Sequence, residues 1–139
     1  MPTAAVTRKA SAKRRKAPKP AAPRLSHTRR PVQLDAADWQ TALRRQFGAE
    51  QNFELHNLGS EPVYSEFAVH NPRSRTRWRV AIRGAAPGQN FCSCPDFATN
   101  ELGTCKHIEF TLAKLAARRG GKAALRRGFQ PAYSEVWLD

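Results

Sequence analysis

The sequence predicts an α+β domain in which a small antiparallel sheet carries short helices and a CxC…CxH finger, behind a disordered basic tail. Three observations lead there. Between Phe53 and Ile82 large apolar residues recur with the period of two that belongs to half-buried strands. Behind Asp35 and again behind Thr104 they recur at helical spacing. All three cysteines lie between Phe91 and Leu115, with His107 two positions after the last of them. At 139 residues the chain has room for one modest domain.

Residues 1–32 form the tail. Ten of the 24 Lys and Arg fall in residues 1–30, where no Asp or Glu occurs, so this stretch carries +10 and the remainder +3 of the net +13. Runs such as S-A-K-R-R-K-A-P-K-P-A-A-P hold almost nothing large and apolar to bury, so order cannot repay its entropy cost. Such asymmetry fits an arm attracted to nucleic acid, or a solvated tail that aids solubility. The prolines argue against an amphipathic presequence, and no apolar segment reads as a secretory signal or a membrane span.

A domain is expected over residues 33–139. Asp35 reads as the N-cap of a first helix whose stripe is Trp39, Leu43 and Phe47, closed by Gly48. Phe53 and Leu55 then alternate with Glu54 and His56. Val63, Ser65, Phe67 and Val69 share one face of a second strand that Asn71-Pro72 ends. In the third, Trp78, Val80 and Ile82 point one way, while Arg75, Arg77, Arg79 and Arg83 occupy the other register with Ala81 among them. Arginine offers a rigid fork suited to phosphate, so this row is a candidate nucleic-acid surface. It also fits the plain solvent face of an antiparallel sheet.

The finger core spans residues 91–115. Cys92 and Cys94, two apart on extended chain, can face one ion; Pro95 cannot continue the ladder. After a ten-residue loop, Gly103 permits a sharp turn and Thr104 caps a helix with Cys105 and His107 in its first turn. Ile108, Leu112 and Leu115 continue that helix. Three thiolates and one imidazole make a complete tetrahedral set for zinc, with no position left for water, so Cys92, Cys94, Cys105 and His107 are expected to hold a structural ion. Their formal charge with the metal is about −1, which a helix N-terminus favours. A disulfide would strand one cysteine, and residues two apart on a helix do not face each other as a nucleophile and its base must. Thiolates kept reduced on zinc fit a cytoplasmic setting.

The helix is expected to end near Arg118, stopped by Gly120-Gly121. Arg118 and Arg119, with Lys122, Arg126 and Arg127, form a second basic cluster, part of which complements the helix dipole. Residues Tyr133 to Asp139 read as a last strand with no turn or cap after it, as in a piece of a longer protein. His27, His56 and His70 are taken as ordinary polar residues.

The C-x-C…C-x-H ligand pattern resembles the SWIM zinc finger. The fuller run C-S-C-P-D-F-A-T-N-E-L-G-T-C-K-H-I-E-F is similar to the form found ahead of the motor domains of bacterial Swi/Snf-type helicases. The similarity extends from about Phe53 to the C-terminus and leaves out the first thirty or so residues. It implies an accessory zinc module of a helicase, with a motor domain in cis or in trans as partner. Nucleic acid, DNA in preference to RNA, is the expected ligand, held through Arg75, Arg77, Arg79, Arg83, Arg118 and Arg119. The other reading is a protein–protein adaptor that uses the finger as a scaffold. No membrane partner is expected. Nor is an enzymatic activity: Gly121-Lys122 is followed by Ala123 and lacks the preceding glycine of a phosphate-binding loop.

Overall fold

The structure, a computed structural model, describes residues 22–134 and 136. Most of the expected tail (residues 1–21) and most of the expected last strand (Glu135 and Trp137 to Asp139) lie outside them. The fold is α+β. Strands β1 (Glu54–Asn57), β2 (Glu66–Asn71), β3 (Thr76–Ala81) and β4 (Phe91–Cys92) form one antiparallel sheet in sequential order. Helices α1 (Ala36–Glu50), α2 (Pro95–Thr99), α3 (Lys106–Ala117) and α4 (Gly121–Arg127) complete it. No helix among the described residues is long and apolar enough to cross a membrane.

Alternation decides the sheet's two faces. Val69 lies opposite Leu55 on one side and Trp78 on the other, and Phe67 opposite Val80, so these side chains share the inner face. Phe67, Val80 and Ile82 have no exposed surface, and each contributes about 1.5–3 kcal/mol by leaving water. Val63 and Ser65 are buried as their register predicts, although they precede the ladder, which starts at Glu66.

Helix α1 opens as expected, with the Asp35 carboxylate accepting from the Asp38 amide at 2.8 Å. It does not stop at Gly48; it runs on to Glu50. The glycine lies where α1 crosses α3, and a Cβ there would sit 2.7 Å from the Lys106 carbonyl oxygen and 2.8 Å from the Phe110 nitrogen. It is a point of close backbone approach rather than a terminator. Leu43 is buried, but Phe47 is 37% exposed and lies 5.4 Å under the Lys106 ammonium instead of entering the core.

The folded part also begins earlier than residue 33. The Leu25 amide donates to Gln46 Oε1 at 2.7 Å, Gln46 Nε2 returns a bond to the Leu25 carbonyl at 3.3 Å, and the Trp39 indole donates to the Ser26 carbonyl at 3.1 Å. Residues 24–26 therefore dock on α1 and belong to the domain.

Helix α3 is the hub, packing against α1, α4, β3 and β4. Its residues 107–111 are buried without a break, because the sheet covers one side of it and α1 another. Phe110, 1% exposed, is therefore core despite lying off the Ile108, Leu112, Leu115 stripe. After Ala117 the chain turns at once into α4, which the sequence reading missed. Tyr64 holds α4 by donating its hydroxyl to the Ala124 carbonyl at 2.9 Å. Of the expected last strand, the described residues Tyr133, Ser134 and Val136 are not in strand.

The crossing at Gly48 sets two effects against each other. In an open helix Gly48→Ala would stabilise by about 0.5–1 kcal/mol. Here the methyl meets two backbone atoms that cannot swing aside, and overpacking of this kind costs about 1–3 kcal/mol. Gly48→Ala is expected to lower the denaturation midpoint; a raised midpoint would show that the two helices separate freely.

Candidate metal centre

Four buried side chains converge behind the β4 end of the sheet. Cys92 is the last residue of β4, fixed by its pairing opposite Val80. Ser93 continues the grip on β3: its amide donates to the Arg79 carbonyl at 2.9 Å and its hydroxyl accepts from the Arg79 amide at 2.9 Å. The chain then turns so that Cys94 becomes the N-cap of α2, its sulfur accepting from the Phe97 amide at 3.4 Å. Pro95 at the first helical position follows naturally, since its missing N–H has no partner to lose there.

Cys105 caps α3 with extended backbone, and His107 is the second residue of that helix. The expected cap, Thr104, instead donates its hydroxyl to the buried Glu109 carboxylate at 2.8 Å. Cys105 thus stands at the N-cap rather than in the first turn, and its backbone is free to aim the sulfur inward. The sharp turn expected at Gly103 is present at φ +68°, and a Cβ there would meet the Gly88 nitrogen at 2.5 Å.

The donor atoms of Cys92, Cys94, Cys105 and His107 all lie within 4.8 Å of one another. His107 turns Nδ1 toward the group, 3.8 Å from the Cys92 sulfur and 3.9 Å from the Cys105 sulfur. Those separations are long for hydrogen bonds and are compatible with the ligands of one ion. The imidazole is flanked by Phe53 at 5.5 Å and Trp78 at 6.0 Å between ring centroids, which fixes its plane. The three sulfurs act on each other's protons. Hydrogen bonds from Cys105 and Cys92 hold Cys94 well below the usual thiol range, so a thiolate forms there most readily. The same contacts and burial push Cys92 far up. Cys105, drawn down by Cys92 but raised more by Cys94 and burial, is pushed up to about 12. Three sulfurs this close cannot all ionise without a cation in their midst, and the four residues form a candidate metal-ligand set.

Several residues that build the centre were not foreseen. Arg44 of α1 grips Asp96 of α2 with two parallel bonds, Nε to Oδ2 at 3.0 Å and Nη2 to Oδ1 at 2.7 Å. The hydrogen bond to Asp96 raises the Arg44 guanidinium above its ordinary value, and the Cys105 and Cys94 charges add to this. Arg45 reaches Glu109 at 3.1 Å. Asn100 organises the ten-residue loop: Nδ2 donates to the Asp96 carbonyl and, at 3.1 Å, to the Thr104 carbonyl, while Oδ1 accepts from Leu102 at 2.8 Å. The Cys-Pro-Asp sequence, a cap followed by proline and an acid, is itself a helix-start signal that would have found α2.

The predicted arginine row is not assembled as one face. Arg77 and Arg79 are exposed on β3. Arg75 lies in the turn before it, at φ +55°. Arg83 lies beyond the strand, with Nη1 donating to the Ile82 carbonyl at 2.9 Å and its guanidinium 5.2 Å over the Phe129 ring. Arg79 is paired with Glu66. Glu54, opposite His70 and held low chiefly by a hydrogen bond with it, also feels the charge of Arg77. On the outer face of the sheet Arg79 is thus answered by Glu66, while Glu54 is engaged chiefly by His70. Arg118 and Arg119 are exposed at the α3–α4 turn, away from this face in the chain.

No protein-family model matches the chain, and neither a curated protein nor a solved structure matches it.

Asn100 is expected to matter for the loop and not for ligation. Asn100→Ala removes three hydrogen bonds and should lower stability by roughly 1–3 kcal/mol, with metal content per chain unchanged; loss of metal on purification would place Asn100 closer to the coordination sphere than the geometry does.

Proposed function

We propose that this chain is a SWIM-type zinc-finger module that binds nucleic acid as an accessory region of a Swi/Snf-type helicase. One observation carries the reading: four soft and borderline donors from three elements, all buried, within 4.8 Å of one another. Zinc takes sulfur at about 2.3 Å and nitrogen at about 2.0–2.1 Å in a tetrahedron, whose edges then fall near 3.5–3.8 Å. The 3.8 and 3.9 Å separations found at His107 fit that ion. Cys92, Cys94, Cys105 and His107 would hold it, and the ion would supply cross-linking of β4, α2 and α3 rather than reactivity. Four protein ligands complete the tetrahedron, so the module works by binding and not by catalysis. The helicase association rests on the resemblance of the run from Cys94 to Phe110.

Nucleic acid is the partner that the charge favours. The chain carries +13, and phosphate contacts by Lys and Arg provide affinity without reading bases. The adaptor reading is favoured by a groove of about 720 Å³ beside the finger, walled by Phe91 and Phe97, whose rings meet edge to face at 5.7 Å.

Two measurements test this. Metal analysis of the purified chain should return one zinc per molecule. Structural zinc is worth about 10–16 kcal/mol in small domains, as much as their whole stability, so Cys105→Ser should unfold the finger; a folded, thermally unchanged Cys105→Ser protein without metal would refute the zinc assignment. Second, the zinc-loaded full chain can be photocrosslinked to a bromodeoxyuridine oligonucleotide. Adducts within residues 22–134 are expected. Adducts confined to residues 1–21 would leave the domain to the adaptor role.

A further inference from the structure

The densest run of unpaired cations among the described residues lies outside β3. Arg118, Arg119, Lys122, Arg126 and Arg127 are five exposed cations within ten residues, and no carboxylate occurs between Arg118 and Ser134. None of the five forms an ion pair among the described residues, whereas Arg79 is paired with Glu66. Lys122 and Arg126, four apart on α4, share a helix face.

The chain leaves this cluster directly into an aromatic cleft. Phe129 follows Arg127 by two residues and is contacted by the Tyr64 ring at 5.3 Å and by the Arg83 guanidinium at 5.2 Å. With Tyr133 it lines an open cleft of about 540 Å³. Tyr133 is 69% exposed, a large aromatic ring standing in water six residues after Arg127, in a cleft whose wall on the Tyr64 side includes Glu61. Cations spaced along a track with aromatic faces at its end are what a single strand of nucleic acid requires, since its phosphates need charge and its unpaired bases need flat apolar partners. Duplex bases are already stacked and would leave Tyr133 unused.

We infer that single-stranded nucleic acid is bound along the α3–α4 turn and α4, its phosphates on the five cations and a base stacked on Tyr133 at the cleft. This deepens the nucleic-acid reading above and rests on it. Of the β3 arginines, Arg79 is already paired with Glu66, so that strand contributes less.

The test uses the full zinc-loaded chain with a fluorescent single-stranded oligonucleotide and the matching duplex, titrated across salt. Each phosphate contact on a single strand contributes about −0.7 to the log–log salt slope, so Arg119→Ala/Lys122→Ala/Arg126→Ala should flatten it by about 2. Arg77→Ala/Arg79→Ala should change it by less than about 0.7, the value of one contact. Tyr133→Ala should weaken single-strand binding at least about fivefold and spare duplex binding, while Tyr133→Phe keeps the ring and should bind as the unaltered chain. Because all these side chains are exposed, the fold should tolerate each change. If the unaltered chain binds but the triple variant keeps its slope, or Tyr133→Ala binds single strands as before, this surface is wrong while the nucleic-acid reading stands. If the unaltered chain shows no salt-dependent binding, both fall together.

Discussion

Cys92, Cys94, Cys105 and His107 cannot meet unless a strand end, two helix starts and a glycine turn are all in place. Cys92 is aimed by the β3–β4 register, and a slip of one residue would turn it to the outer face. Cys94 and Cys105 are both N-caps with extended backbone, and the Cys94 sulfur also accepts from the Phe97 amide. Two helix N-termini therefore point at a group of sulfurs, which is where their positive ends favour anionic charge. Meeting at this point is what makes a two-residue strand and a five-residue helix persist, since neither is long enough to be stable alone.

Around the ligands lies a second layer that ties them to the rest of the chain. Helix α1 contributes no ligand, yet Arg44 holds Asp96 beside Cys94, and Arg45 holds Glu109, which in turn engages Thr104 beside Cys105. Each knuckle of the finger is thus gripped from α1 by one arginine. Exposed ion pairs are worth about 0–1 kcal/mol. The Arg44 pair is bidentate and its side chain only 21% exposed, so it ranks above Arg45, whose side chain is 64% exposed. Gly48 permits the close helix crossing that brings both arginines within reach.

The ligand set was legible because coordination chemistry leaves its mark in spacing: two cysteines two apart, a loop, then Cys105 and His107. The sheet was legible for a similar reason, since alternation from Phe53 to Ile82 reports burial directly. What failed was reading position from residue type. Glycine ends many helices, so Gly48 reads as a stop, and only the partner helix reveals that the missing side chain is needed for contact. Phe110 lay off the stripe, and only the presence of two covering layers explains its burial. The arginine row had the right period but the wrong limits. Alternation says which side a residue takes, not whether the strand has begun, as at Arg75, or whether a carboxylate from the next strand answers it, as at Arg79. Residues 24–26, assigned to the tail by composition, dock through backbone groups and Gln46, and backbone hydrogen bonding leaves no compositional trace.

Helix electrostatics accounts for only part of the cationic cluster at the α3–α4 turn. Arg126 and Arg127 occupy the last turn of α4 and complement its dipole by a few tenths of a kcal/mol each. Arg118 and Arg119 would do the same for α3, but α4 starts three residues later and presents its positive end to them. Lys122 is worse placed still, in the first turn of a helix with no acid there. Mutual repulsion adds to this: two unit charges about 8 Å apart in water oppose each other by about 0.5 kcal/mol. Asp96, Glu109 and Glu66 engage Arg44, Arg45 and Arg79 in the finger and the sheet, and Glu61, which lines a pocket with Arg127, is the acid nearest the end of α4. The fold thus gains nothing from charge at Arg118, Arg119 and Lys122, and a polyanion is what would make their placement favourable.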